Sequence, residues 1–191
     1  TTSYKVYVQH ISSAGVKQWG TKGVGITDSA NEVGWPTTIS DGNGGVVLFW
    51  NERTVAGNYE SEKICMQRID ANGNRMLGIN GVDVVTNISE YGLAETIVKD
   101  AGGNYVFAYS DYADNKIYAR KVNSSGVHQW GTPISLNEAA STGEVEEGLI
   151  YPDGSGYIFL WMSEYQIAGE WGESIYWQKL NADGTKNGAN L

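Results

Sequence analysis

One short segment recurs four times in this chain. The copies are Val6-Tyr7-Val8-Gln9-His10-Ile11-Ser12, Ile64-Cys65-Met66-Gln67-Arg68-Ile69-Asp70, Ile117-Tyr118-Ala119-Arg120-Lys121-Val122-Asn123 and Ile175-Tyr176-Trp177-Gln178-Lys179-Leu180-Asn181. Each is followed three residues later by a glycine, at Gly15, Gly73, Gly126 and Gly184, with spacings of 58, 53 and 58 residues. A unit of that length cannot bury its apolar face alone, so similar units must stack on one another.

Within a repeat, short apolar and aromatic runs alternate with Asp/Asn/Gly clusters. Pro36-Thr37-Thr38-Ile39-Ser40 precedes the turn Asp41-Gly42-Asn43-Gly44-Gly45 and the run Val46-Val47-Leu48-Phe49-Trp50. Asp100 to Asn104 leads in the same way into Tyr105-Val106-Phe107-Ala108-Tyr109, and Asp153 to Gly156 into Tyr157-Ile158-Phe159-Leu160-Trp161. Runs of this kind are hairpin-connected strands, and each repeat reads as a four-stranded meander. Val47 and Phe49 alternate with Val46, Leu48 and Trp50, so both faces are apolar and the sheet must be covered on both sides. The expected fold is all-β, a β-propeller-like array of four-stranded antiparallel blades, with about three and a half repeats, and a two-sheet sandwich as the alternative. Approximate repeats fall at 3–61, 62–114, 115–172 and a partial 173–191, within a single repeat domain.

Composition excludes several classes. With 13 Lys plus Arg against 22 Asp plus Glu the net charge is −9, which gives a nucleic-acid backbone no basic stripe to bind. No apolar run approaches the ~18 residues of a spanning helix, so no membrane insertion is expected. Thr1-Thr2-Ser3-Tyr4 has neither part of a signal peptide, and the chain reads as mature and soluble. The lone cysteine, Cys65, stands in a column otherwise filled by Tyr7, Tyr118 and Tyr176, which marks a structural position. The column of His10, Arg68, Lys121 and Lys179 is basic and is expected to face solvent.

The run Gln67-Arg68-Ile69-Asp70-Ala71-Asn72-Gly73, taken with the Trp19-Gly20 and Trp130-Gly131 pairs, the Gly-Val pair and Asp41-Gly42-Asn43-Gly44-Gly45, resembles the β-propeller-type repeat arrays of secreted and cell-surface bacterial proteins. The resemblance extends from about Val6 to Gly188. It implies an extracellular or cell-surface module for display or binding. The leading strands, roughly residues 4–12 and 22–27, have no inner partner upstream, so completion through another copy, between the chain's own first and last segments, or within a longer protein is expected.

Function collects on long loops held by a rigid scaffold. The segments read as long loops are 28–35, 51–63, 87–95, 111–116, 137–147 and 163–174, and they carry most of the acids. The candidate ligand-binding residues there are Trp35, Tyr59, Tyr91, Tyr112, Tyr165, Trp171, Glu60, Glu90, Asp111 and Glu170. Rings beside carboxylates suit a sugar or a basic protein surface. No catalytic signature is present, and the adjacent Glu146 and Glu147 would face opposite ways on a strand. No cofactor is expected; Asp111 and Asp114 are the weak candidates for a cation such as calcium, whereas Asp41 to Gly45 has turn chemistry. The expected activity is therefore non-catalytic binding of a protein or glycan at the cell exterior, with self-association, through loops and strand edges. The alternatives are a carbohydrate-binding lectin and a carbohydrate-active enzyme.

Overall fold

The computed structural model describes residues 5–56, 59–88, 96–137, 145–167 and 170–188, with the backbone alone at 55–56, 59–61, 145–147 and 165–167. Among the described residues there is no helix. Four antiparallel sheets follow in chain order. The first pairs β1 (Tyr7–Val8) with β2 (Val24–Gly25). The second is β3 (Glu32–Ser40), β4 (Val46–Ala56), β5 (Tyr59–Ile69) and β6 (Val82–Ile88). The third is β7 (Ile97–Lys99), β8 (Tyr105–Asp111), β9 (Lys116–Val122) and β10 (Ile134–Ser135). The fourth is β11 (Val145–Asp153), β12 (Gly156–Ile167), β13 (Glu170–Leu180) and β14 (Lys186–Asn187). Each four-stranded sheet is a blade-like meander, as the turn clusters require.

The recurring segment lies on β1, β5, β9 and β13, and the turn after it is built alike each time. Gly73 N–H donates to Asp70 O at 3.0 Å, Gly126 N–H to Asn123 O at 3.0 Å, and Gly184 N–H to Asn181 O at 2.9 Å. The Asp70 and Asn123 side chains accept further backbone N–H bonds within the same turns, which is the local reason Asp and Asn stand there.

The chain divides into two compact units, Thr1–Asn87 and Ile88–Leu191. In the first, Val6, Val8 and Val24 pack on Leu48, Trp50, Cys65 and Ile69, so the first sheet covers one face of the second. In the second unit, Lys121 of the third sheet reaches Tyr157 and Ala182 of the fourth, and Thr96 bonds to Gly148 and Ile150. Both junctions have one polarity. The face bearing Val6 and Val8, or Ile117 and Ala119, here termed trailing, meets the leading face of the following sheet, which bears Cys65, Gln67 and Ile69, or Tyr176, Gln178 and Leu180.

Each junction is pinned at its rim by a tryptophan. Trp19 Nε1–H donates to Ala71 O at 3.0 Å, and Trp130 Nε1–H donates to Ala182 O at 3.3 Å. Gly73 and Gly184 have φ of +85° and +90°, and a Cβ on either would lie 3.2 or 3.1 Å from the neighbouring indole, so the glycine serves both the turn and the lock. A clip also repeats: Gln9 Oε1 accepts from Trp19 N–H while its Nε2 donates to Gly20 O, and Gln67 does the same with Leu77 and Gly78.

The expectation that the basic column faces solvent is overturned. Lys121 is 9% exposed, and its ammonium lies 2.7 Å from Asp100. Arg68 pairs with Asp41 at 3.5 Å, and Lys179 pairs with Asp153. The inner-turn aspartate and the base of the recurring segment flank the same intervening strand, so their charges cancel, and at Lys121 the fourth sheet closes over the neutralised pair.

Candidate functional site

Two of the expected long loops are strands. β4 and β5 remain in register from Val46↔Ile69 out to Ala56↔Tyr59, and β12 and β13 from Tyr157↔Leu180 out to Ile167↔Glu170. Polar residues on these outer ends suggested loops, but an exposed hairpin tip carries the same residues. The 111–116 segment is a four-residue turn closing the Asp111↔Lys116 pair, and β3 begins at Glu32 within the segment 28–35. Glu90 and Tyr91, with most of the segments 87–95 and 137–147, lie outside the described residues, as do the side chains of Tyr59, Glu60 and Tyr165.

The remaining candidates separate. Trp35 is exposed, sits at the register shift between Gly34 and Thr37, and has φ of +45°, a left-handed backbone that costs an aromatic residue about 1–3 kcal/mol. Tyr112, half-buried, belongs to the β8–β9 turn. There Asp111 Oδ1 accepts from Ala113 N–H at 3.1 Å, and Asp114 is engaged by the Tyr118 hydroxyl and lies 4.0 Å from Lys116. No group of three or more potential metal ligands occurs among the described residues. Trp171 and Glu170 stand at the tip of the β12–β13 hairpin, both exposed. Trp171 lines a cleft of about 180 Å³ with Glu164, Gly172 and Glu173, in which the two glutamates are direct cross-strand partners.

Not every acid of the supposed loops lies at the surface. Glu52 is buried, and its carboxylate accepts from Ser29 Oγ at 2.7 Å and Asn31 Nδ2 at 2.8 Å, with Lys63 Nζ at 3.4 Å. Burial pushes its pKa up, but these partners outweigh burial and hold it below the ordinary carboxylate value. Glu62 is buried too and accepts from Asn51 Nδ2 at 3.1 Å. Cys65 is a buried thiol whose pKa burial drives far up, which removes it as a nucleophile.

One exposed apolar face lies outside the loops that sequence reasoning singles out. On the trailing face of the fourth sheet, Ile175 is 76% exposed and Trp177 41% exposed. Their cross-strand partners Met162 and Leu160 are half-buried, and Tyr151 on β11 is exposed beside Ile158. Trp171, Glu173 and Glu164 continue the same face outward along β13 and β12. The matching positions of the third sheet, Ile117, Ala119, Val106 and Ala108, are all 2% exposed or less. One face is therefore a core in the third sheet and a surface in the fourth. The sequence signal is the recurring segment itself, whose first residue (Val6, Ile64, Ile117 or Ile175) and next-but-one residue are apolar in every copy.

In the first unit, the leading face of the first sheet is open as well. Tyr7 is 58% and Ile11 50% exposed, whereas the matching Cys65 and Ile69 of the second sheet are fully buried. Lys5, Tyr7, Gly25, Thr27, Asp28 and Arg75 line a cleft of about 260 Å³ there, with Arg75 paired to Asp28 at 2.9 Å. No helix among the described residues is long and apolar enough to cross a membrane. No protein-family model matches the chain, and no curated protein matches it.

Proposed function

We propose that the chain is a non-catalytic binding and assembly module of the β-propeller type that acts at the cell exterior, with the open face of its fourth sheet as the docking surface. The observation that carries this is the pair Ile175 and Trp177, apolar side chains exposed at positions whose third-sheet counterparts, Ile117 and Ala119, are core, with the exposed Trp171 further out on the same face. Large apolar side chains exposed together on one sheet face mark an interaction surface. The repeated blade-like meanders, with matching tryptophan locks, support the propeller-type arrangement. Glu52, the buried carboxylate nearest in character to a catalytic acid, is held ionised by Ser29, Asn31 and Lys63 and has no proton to donate at neutral pH.

The test is adhesion of beads carrying the chain to three coatings: the same chain, a bacterial cell envelope, and purified polysaccharide. Adhesion to at least one coating that falls ~10-fold or more with Ile175→Arg supports docking through this face. Absence of adhesion to all three, or adhesion untouched by the substitution, overturns it.

A lectin is the second reading, supported by the cleft in which Trp171 stands beside Glu164 and Glu173. A ring stacks on the C–H face of a sugar while carboxylates accept its hydroxyls. Adhesion to polysaccharide that Trp171→Ala removes and Ile175→Arg spares would favour it.

A further inference from the structure

We infer that the open face of the fourth sheet takes the first sheet of a second copy of this chain, head to tail. The inference rests on the docking role proposed above and names the partner. Both junctions inside the two units join a trailing face to a leading face, and among the described residues each kind of face also stands exposed: Ile175 and Trp177 on the fourth sheet, Tyr7 and Ile11 on the first. The two exposed surfaces have the same sequence columns that form the covered junctions.

Register and charge agree with that pairing. In the second unit Lys121 meets Tyr157, whose cross-strand partner Leu180 stands in the Val122 column, so a trailing-face residue meets the leading-face column one step further on. The same step carries Ile175 to Tyr7, Trp177 to Gln9 and Lys179 to Ile11 of the second copy. It also carries Glu173, with Glu164 directly across from it, to Lys5. Two carboxylates placed opposite each other on neighbouring strands repel. A lysine from the partner relieves that repulsion, and the exposed Lys5, whose ammonium donates to Ser29 O in the free chain, lines the cleft beside Tyr7 that would supply it. The interface is heterologous: its two sides differ, so each copy keeps one free side after pairing unless a ring closes.

Sedimentation velocity of the wild-type chain, Ile175→Arg, Tyr7→Arg and an equal mixture of the two variants tests this. The wild-type chain is expected to give species of two or more chains, each variant alone to associate at least ~10-fold more weakly, and the mixture to regain a dimer, because each variant retains the side the other lacks. Charge exchange provides an independent arm: Glu173→Lys and Lys5→Glu weaken association singly and restore it when mixed. If Tyr7→Arg fails to fold, Ile11→Arg on the same face replaces it.

A wild-type monomer, or a mixture that stays monomeric while the wild type associates, overturns the head-to-tail pairing. A monomer that still adheres to a foreign coating through Ile175 leaves the docking face standing with another partner, whereas loss of all adhesion removes both.

Discussion

Ile117 and Ile175 hold the same place in consecutive sheets, one buried at 2% exposure and the other open at 76%. The repeat makes them equal in sequence, and the covering sheet makes them unequal in energy. Ile117→Arg places a charge in a packed junction and is expected to cost more than about 4 kcal/mol. Ile175→Arg is expected to change monomer stability by less than about 0.5 kcal/mol. Urea unfolding at low protein concentration measures both, and a similar loss for the two would mean that the fourth sheet's face is covered within the chain.

Asp100 supplies a pH signature. Burial pushes its carboxyl up, but the Lys121 ammonium and the side chain and N–H of Asn104 outweigh burial and hold it at about 2, below the ordinary 3.8. A depressed folded value stabilises above the unfolded one, so the contribution is complete above pH ~4 and is lost as pH falls towards about 2. At ~1.4 kcal/mol per unit the contribution is at most about 2.5 kcal/mol. Asp100→Asn is expected to be less stable at pH 7 and to converge with the wild type near pH 2. Parallel stability curves across that range would assign the acid sensitivity to other groups.

Gln67 is fully buried and clips Leu77 N–H at 2.9 Å and Gly78 O at 2.8 Å. Gln67→Leu keeps the volume and leaves both backbone groups unpaired, with an expected loss of about 2 kcal/mol or more. Trp130→Phe removes the bond to Ala182, with an expected loss of about 1 kcal/mol beyond the reduced contact area. Denaturant midpoints test both, and an unchanged midpoint in either case would remove that contact from the repeat's stabilising set.

Two nearby glycines separate backbone strain from crowding. Gly78 and Gly81 have φ of +77° and +73°, but a Cβ on Gly78 meets nothing within 4 Å whereas one on Gly81 would overlap Met66 O. Gly78→Ala is expected to cost about 1 kcal/mol, the ordinary left-handed penalty, and Gly81→Ala at least twice that, because the β5–β6 edge must part. Equal thermal shifts would contradict a close approach at Gly81.

The strands and turns were legible because alternation and Asp/Asn/Gly clusters report local geometry directly. Val47, Phe49, Leu48 and Trp50 read as a sheet buried on both faces, and all four are buried. The outer ends of β4–β5 and β12–β13 were not legible. Runs such as Glu52-Arg53-Thr54 carry the polar residues of a loop, and only the paired strand opposite reveals their register. The basic column misled for a related reason: Lys121 is buried because Asp100, in the β7–β8 turn and 21 positions away, neutralises it, and no local pattern announces that. The site was legible in part. Trp171 stands out as a ring among acids, whereas the exposure of Ile175 and Trp177 follows from the absence of a covering sheet among the described residues, which no local pattern in the recurring segment reports.

The most direct test places a photoactivatable benzophenone side chain at Ile175 and maps its cross-links in a mixture of light and isotopically heavy chains. Cross-links between light and heavy copies, landing on the peptide that contains Lys5 to Ile11, are expected. Cross-links from Ile175 to the fourth sheet of another copy, or none above those of a control at an exposed turn, would contradict head-to-tail stacking of the repeat.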